Sequence, residues 1–256
     1  MERIDDLEIR NYKIYQDTDR FCFGIDAVLL ANFALRNISS NNNSILNIAD
    51  LCSGTLPIPL IMYVKRKNDM KIDAYEYDVE QVLLSKKSIL ENKKVDSSID
   101  EDIKIFNIDI KNIINQKNDY VDIYNKYDIV TCNPPYIKIN SGEKNEKINM
   151  SISKHEMLIT FEDICKIVSL ILKSNKKFFM IHRTSRLSEL VFILKKYKLE
   201  PKTIQFIHQK NNDISNLVLI ESVKCGGEET KVLEPLVVFN DDNSLTEQVL
   251  SIYGKL

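Results

Sequence analysis

Tyr127-Asp128-Ile129-Val130-Thr131-Cys132-Asn133-Pro134-Pro135-Tyr136 joins a strand-like apolar run to a stop that no strand can pass. Proline has no N–H to give a ladder and its φ is fixed, so an interior strand ends where the two prolines begin. The Asn133 side chain and the Pro134 carbonyl are then held at the strand's C-terminal edge, with the Tyr136 ring beside them. Two acceptors and a planar ring suit a planar group that carries an NH2. An Asn-Pro pair also opens ordinary turns, and on that reading the stretch simply starts a loop.

Outward from this strand, β-like and α-like segments alternate, the pattern of a parallel sheet with helices on both faces. The spacing predicts strands over residues 44–49, 71–75, 103–108, 127–132 and 177–182, and helices over 57–65, 79–92, 161–173 and 185–197. Pro57 and Pro59 fall in a helical first turn, where no hydrogen bond is lost. Strands over 203–208 and 217–223, close together across the turn 210–213, predict an antiparallel hairpin at the sheet edge. The Asn-rich stretch 37–43 is expected to be a loop. The organisation expected is an N-terminal segment packing on the core (1–43), one domain (44–240) and a C-terminal tail (241–256).

The 256 residues are 44% hydrophobic and carry a net charge of −2, as in an ordinary soluble globular protein. Residues 1–6 are charged and have no apolar core, which argues against a signal peptide, and no apolar run approaches the roughly 18–20 residues of a membrane span. The cysteines at 22, 52, 132, 165 and 225 are odd in number and scattered. That fits neither a zinc cluster nor a disulfide framework, and a reducing cytoplasm is expected. Residues 173–202 carry nine Lys or Arg against two Glu, whereas 73–109 carry ten acids against five Lys. The basic stretch reads either as a face for phosphate backbones or as solvated lysines.

Open parallel sheets bind ligands beyond the C-terminal ends of their strands, where the strand order switches. Four predicted strands end at Asp50-Leu51-Cys52-Ser53-Gly54, Glu76, Asp109 and Asn133. Glu76, 22 residues past Gly54, is placed to accept hydrogen bonds from ribose hydroxyls, and Asp109 to accept from an adenine amino group. Each acid taken alone also reads as a solvated carboxylate; their order along the chain is what makes a set.

That order resembles class I S-adenosylmethionine-dependent methyltransferases that modify amino nitrogens. With Arg20-Phe21-Cys22-Phe23-Gly24-Ile25-Asp26-Ala27-Val28-Leu29-Leu30, Lys154-His155-Glu156, His182-Arg183 and the stretch from Leu199-Glu200-Pro201-Lys202 to His208, the chain is similar to the bacterial tRNA(Val) adenine-N6 methyltransferases. The likeness runs from about Asp5 to Asn240. Asn133 to Tyr136 alone is shared with DNA adenine methylases and release-factor glutamine methyltransferases, so residues 23–31 discriminate better.

The resemblance implies an α/β, Rossmann-like class I methyltransferase fold, with a mostly parallel seven-stranded sheet and an antiparallel C-terminal hairpin. It implies S-adenosylmethionine as cofactor, bound by Asp50, Cys52, Gly54, Glu76 and Asp109, and no metal. The implied partner is tRNA, methylated on the exocyclic N6 of an adenine in the anticodon loop, next to the anticodon, by Asn133, Pro134, Pro135 and Tyr136. Asn133 and the Pro134 carbonyl would accept the amino N–H bonds, Tyr136 would stack on the base, and the base would leave its own stack to reach them. A glutamine amide offers the same NH2, so a protein glutamine methyltransferase is the alternative enzyme. A catalytically impaired RNA-binding homologue is the alternative of another class.

The family's cofactor turn has a second glycine two residues after the first, and here that place is Leu56. Were φ positive there, Leu would cost about 1–2 kcal/mol, plus any clash of its side chain with the bound methionine moiety. Asp26 is expected as the N-cap of an apolar helix, or as part of a lid over the cofactor. His155-Glu156 lacks the second His of a zinc helix and reads as a helix start. His182 and Arg183 end a strand at the active edge, where they would meet RNA phosphates or form the pocket wall.

Overall fold

A computed structural model of the chain describes residues 1–7, 9–20, 22–38, 45–67, 69–134 and 159–255. Pro135, Tyr136, Lys154, His155 and Glu156 lie outside the described residues, so the described part of the clamp is Asn133-Pro134. The chain opens with strands β1 (Glu2–Asp6) and β2 (Lys13–Asp17), then helix α1 (Ile25–Arg36). The alternation follows as β3 (Leu46–Leu51), α2 (Pro57–Lys65), β4 (Met70–Glu76), α3 (Val79–Asn92), β5 (Ile103–Asn107) and β6 (Tyr127–Cys132). After a helix at Phe161–Ile171 come β7 (Leu172–Arg183), a helix at Leu187–Lys196, β8 (Leu199–His208) and β9 (Leu217–Lys224).

Local chemistry explains several of these boundaries. Pro57 starts α2 at a position that needs no N–H partner. Asp78 caps α3 by accepting from the Glu80 amide. Thr160 and Asp163 form a reciprocal capping box ahead of Phe161. Two boundaries differ from the sequence expectation: β8 begins at Leu199, ahead of the expected 203, and a helix ends early. The helix expected to 173 stops at Ile171, and Leu172, already extended, pairs with Tyr127 as the first residue of β7. No loop separates helix from strand because the β6 ladder captures the chain at once.

The main sheet runs β10-β8-β9-β7-β6-β3-β4-β5 and also pairs β11 with β8, where β10 is Lys231–Val232 and β11 is Leu236–Val237. β3 to β7 are parallel to one another, and β9 lies antiparallel between β7 and β8. The seven longer strands are those expected, with β8–β9 as the antiparallel hairpin. The correction is at the edge: two two-residue strands cover β8, so the hairpin is not outermost. Strands that short carry no periodicity to read.

Helices α1 and α2 and the C-terminal helix Glu247–Tyr253 bury their apolar faces on one side of the sheet, with Phe33 edge-on to Phe179 at 5.9 Å. Phe161–Ile171 and Leu187–Lys196 cover the other side. The β1–β2 hairpin has no counterpart in the sequence expectation, because β1 is charged and almost wholly exposed. It is held through β2. The Lys13 amide donates to Asn92 Oδ1 (2.8 Å), Asn92 Nδ2 donates to the Lys13 carbonyl (2.7 Å), and the Tyr15 amide donates to Ser88 Oγ (2.9 Å). Side chains of α3 thus satisfy the strand's open edge. Residues 241–256 contain the last helix, whose Ile252 carbonyl accepts from Lys65 Nζ at 2.6 Å.

Folding commits much of the positive charge of 173–202 to internal pairs. Lys173 and Lys176 meet Asp128, Lys177 meets Glu221, Arg186 meets Glu189, Lys195 meets Glu200 and Lys196 meets Glu162. A phosphate approaching these residues would first have to displace carboxylates.

Candidate active site

The chain runs from β3 through β4 to β5 on one side, then returns to start β6 against the other edge of β3. That reversal is the switch point, where a crevice opens between the strand ends. Asp50 is level with Thr131 and Leu51 with Cys132, so the turn after β3 and the clamp after β6 leave the sheet side by side.

The turn is braced from beneath. Asp50 is 1% exposed, and accepts from Ser53 Oγ and from Thr131 Oγ1, its neighbour across the strands. Burial pushes its carboxyl up to about 7, against the pull of those two hydroxyls and with a smaller push from the Glu76 charge. Cys52, Gly54 and Leu56 all have left-handed backbones, with φ of +58°, +55° and +75°. The Gly54 amide donates to Glu76 Oε2 (2.8 Å), and its carbonyl accepts from Ser85 Oγ (2.9 Å). A Cβ at Gly54 would meet nothing within 4 Å, so glycine serves the backbone angle and leaves clear space before the turn.

Leu56 does adopt the positive φ that costs an L-residue about 1–2 kcal/mol. Its side chain is fully buried among core residues of the α1–α2 face, a burial worth about 1.5–3 kcal/mol against exposure. Packing therefore offsets the strain. The side chain points into the core and leaves no surface exposed at the turn.

Glu76, at the end of β4, also accepts from the Asp78 amide through Oε1 (2.8 Å), so two of the carboxylate's four acceptor sites hold backbone. Asn107 Nδ2 donates to the carbonyls of Glu76 (3.0 Å) and Tyr77 (2.9 Å), drawing the ends of β5 and β4 together. Asp109 is half-buried two residues beyond β5, where its Oδ1 accepts from the Lys111 amide at 2.9 Å. Cys52 is half-buried beside Cys132, whose thiol is pushed well up by burial first and by Cys52 next. Gly54, Glu76 and Asp109 share one edge, with Asp50 enclosed below them.

At the clamp, Asn133 Nδ2 donates to Asp26 Oδ2 at 3.2 Å. Its Oδ1 is buried and has no hydrogen-bond partner among the described residues. Such an acceptor is rare and costs about 1–3 kcal/mol. The Asp26 expectation needs correcting: the N-cap of α1 is Gly24, and Asp26 is the second helical residue, 9% exposed. The two partners are 107 residues apart, beyond any local rule. The available signal was a lone acid in the apolar run Ile25-Asp26-Ala27-Val28-Leu29-Leu30. Ser85 and Thr131, two further braces of the turn, carried no signal in sequence.

A cleft of about 330 Å³ opens beside Pro134, with Phe161, His182, Arg186 and Glu189 in its wall. His182 is 1% exposed, faces the Phe161 ring edge-on at 5.9 Å, and accepts from the Arg183 amide through Nδ1 at 2.8 Å. Burial first, then the Arg186 charge, lowers it to about 4. At 1% exposure the imidazole forms part of the wall of that cleft. Arg183 is exposed next to it, and Arg186 grips Glu189 through Nε (2.8 Å) and Nη2 (2.6 Å).

No protein-family model matches the chain. Over 138 residues it is 30% identical to the tRNA1(Val) (adenine(37)-N6)-methyltransferase of Histophilus somni (strain 129Pt), a match covering 54% of this chain and 51% of that protein. The chain thus spans about half the length of the curated relatives it matches. Among solved structures, it is similar to a predicted O-methyltransferase, Atu636 from Agrobacterium tumefaciens. The TM-score is 0.68 at 18% identity, covering 90% of this chain and 96% of that one. Human methyltransferase 10 domain containing protein matches with a TM-score of 0.58 at 15% identity, covering 85% and 90%. The fold is that of the Rossmann-like methyltransferases.

Proposed function

We propose that this chain transfers a methyl group from S-adenosylmethionine to the exocyclic N6 of an adenine in tRNA, next to the anticodon. One observation carries the reading. The buried Asn133 Oδ1, without a partner among the described residues, is an acceptor waiting for an N–H at the end of β6. The name borne by the curated relatives supports adenine in tRNA as the group that supplies it.

The residues at the neighbouring turn fit the cofactor. Gly54 combines a left-handed backbone with clear space in front of it, and Glu76 and Asp109 bring carboxylates to the same edge. Bound there, the cofactor supplies an electrophilic methyl on a sulfonium. Glu76 accepts from ribose hydroxyls and Asp109 from the cofactor's adenine amino group. Asp50 shapes the turn through Ser53 and Thr131, and Cys52 belongs to the same turn.

Asn133 Oδ1 and the Pro134 carbonyl accept the two N–H bonds of the target amino group, which turns the nitrogen lone pair out of the ring plane. Tyr136 stacks on the base, worth about 1–3 kcal/mol, after the base has left its own stack. The cleft with its neutral His182 lies beside Pro134 to receive that base. Orientation is the protein's main contribution. No general base is needed before attack, since the proton leaves once the nitrogen is cationic. The reaction belongs in the cytoplasm, where tRNA and reduced thiols are found.

Titration calorimetry with S-adenosylmethionine and its demethylated product, followed by mass-spectrometric mapping of methylated tRNA, tests the proposal. Micromolar binding and N6-methyladenine beside the anticodon are expected. A folded chain that binds neither ligand at millimolar concentration refutes the cofactor assignment. Binding with methylation of a glutamine peptide and not of tRNA refutes the substrate.

A further inference from the structure

We infer that Asp26 determines which way the Asn133 amide faces, and is thereby a positioning residue for methyl transfer to an amino nitrogen. The inference rests on the function proposed above.

The oxygen and nitrogen ends of an asparagine amide are nearly equal in shape, so hydrogen-bond partners choose between them. A carboxylate only accepts. Asp26 Oδ2, 3.2 Å from Asn133 Nδ2, therefore selects the orientation with NH2 toward α1, and Oδ1 must face the other way. On that other side Oδ1 is buried and has no partner among the described residues. The reverse orientation would set the amide oxygen against a carboxylate and present a donor to the incoming amino group. A clamp so turned would repel its substrate.

Asp26 is itself held in place. It is 9% exposed, and its Oδ1 accepts from the Ala27 amide at 3.0 Å. A Cβ at Gly24 would lie 3.0 Å from that same Oδ1, so the glycine leaves the carboxylate its room. Helix α1 is anchored by a face that is buried from Asp26 to Ala34. The carboxylate also stands one hydrogen bond away from the amide that grips a nitrogen becoming cationic. Its charge therefore favours the transferred state over the ground state.

The test compares D26N, N133D and the exchange D26N/N133D with the full natural chain. Four quantities are measured: melting temperature, S-adenosylmethionine affinity, kcat and KM on tRNA, and the Asn133 side-chain amide signal by 15N–1H NMR, assigned by its loss in N133D. In D26N the amide signal is expected to shift and lose exchange protection, while melting and cofactor affinity stay as they were. Its kcat should fall about ten- to a hundredfold, with KM little changed. N133D sets two carboxylates face to face. The exchange restores a donor opposite an acceptor and should recover at least about tenfold over N133D.

An Asn133 signal that ignores D26N, a kcat equal to the natural chain's, or no recovery in the exchange would overturn the inference. Loss of melting temperature, cofactor affinity and activity together would show a merely structural residue. G24A, which displaces the carboxylate without removing it, repeats the comparison should D26N fail to fold. If the natural chain methylates no adenine while the amide signal still answers to D26N, the proposed function fails and the anchoring contact stands.

Discussion

The turn after β3 and the clamp after β6 leave adjacent strands, yet they are finished in opposite ways. At the turn, Asp50 holds Ser53 and Thr131, Glu76 holds the Gly54 amide, and Ser85 holds the Gly54 carbonyl. At the clamp, Asn133 has its donor taken by Asp26 and its buried acceptor unmatched among the described residues. A satisfied turn is rigid and recognises by shape. An unsatisfied acceptor recognises by the one bond it lacks, and its desolvation has already occurred before the partner arrives.

The sharpest way to break this contrast is Asn133→Ala. Methyl transfer should fall about 100- to 1,000-fold in initial-rate assays, while cofactor affinity by calorimetry stays unchanged. Thermal stability should not fall in proportion, because a buried unpaired acceptor leaves with the side chain.

Leu56→Gly tests the turn's packing. Removing a buried leucine costs about 2–5 kcal/mol, and relieving its backbone returns about 1–2 kcal/mol. A net loss of about 0–4 kcal/mol in urea unfolding is expected, whereas a more stable variant would contradict the buried side chain. Glu76→Gln leaves one oxygen for two backbone amides, so the cofactor Kd should rise about tenfold by calorimetry.

The two regions also answer pH with opposite sign. Asp50 is raised from 3.8 to about 7, so its share of stability is full below its ordinary value and is lost as pH rises toward 7. His182 is lowered from 6.5 to about 4, so its share is lost as pH falls through that window. Between pH 4.5 and 6.5, melting of Asp50→Asn should rise with pH relative to the natural chain, and melting of His182→Gln should fall. Parallel curves for all three proteins would refute both assignments. The smallest effect belongs to K195E/K196E. These lysines already pair with Glu200 and Glu162, and tRNA affinity in a filter-binding assay should change by less than about threefold.

Much of the scaffold was legible because its causes are local. The prolines after Cys132 end β6, Pro57 starts α2, and Asp78 caps α3, each acting within a turn of itself. The strand ends carrying Gly54, Glu76, Asp109 and Asn133 followed from that alternation. The β1–β2 hairpin was not legible, since its stability lies in Ser88 and Asn92 of α3 and not in its own pattern. The positive φ at Leu56 was legible from the glycine expected there. The direction of its side chain was not, because that depends on which helices cover the sheet.

The sequence alone determined the order of the seven longer strands and of the helices between them, the stop at Asn133-Pro134, and the gathering of acids and a glycine turn at one edge. Only the tertiary structure decided that Asp26 meets Asn133, that Asp50 and His182 are enclosed, and that Lys173, Lys176, Lys177, Lys195 and Lys196 face carboxylates. The reason is physical. Propensity and capping act over a few residues, whereas the hydrogen bond, burial and charge that define a site's chemistry come from neighbours that only folding brings within reach.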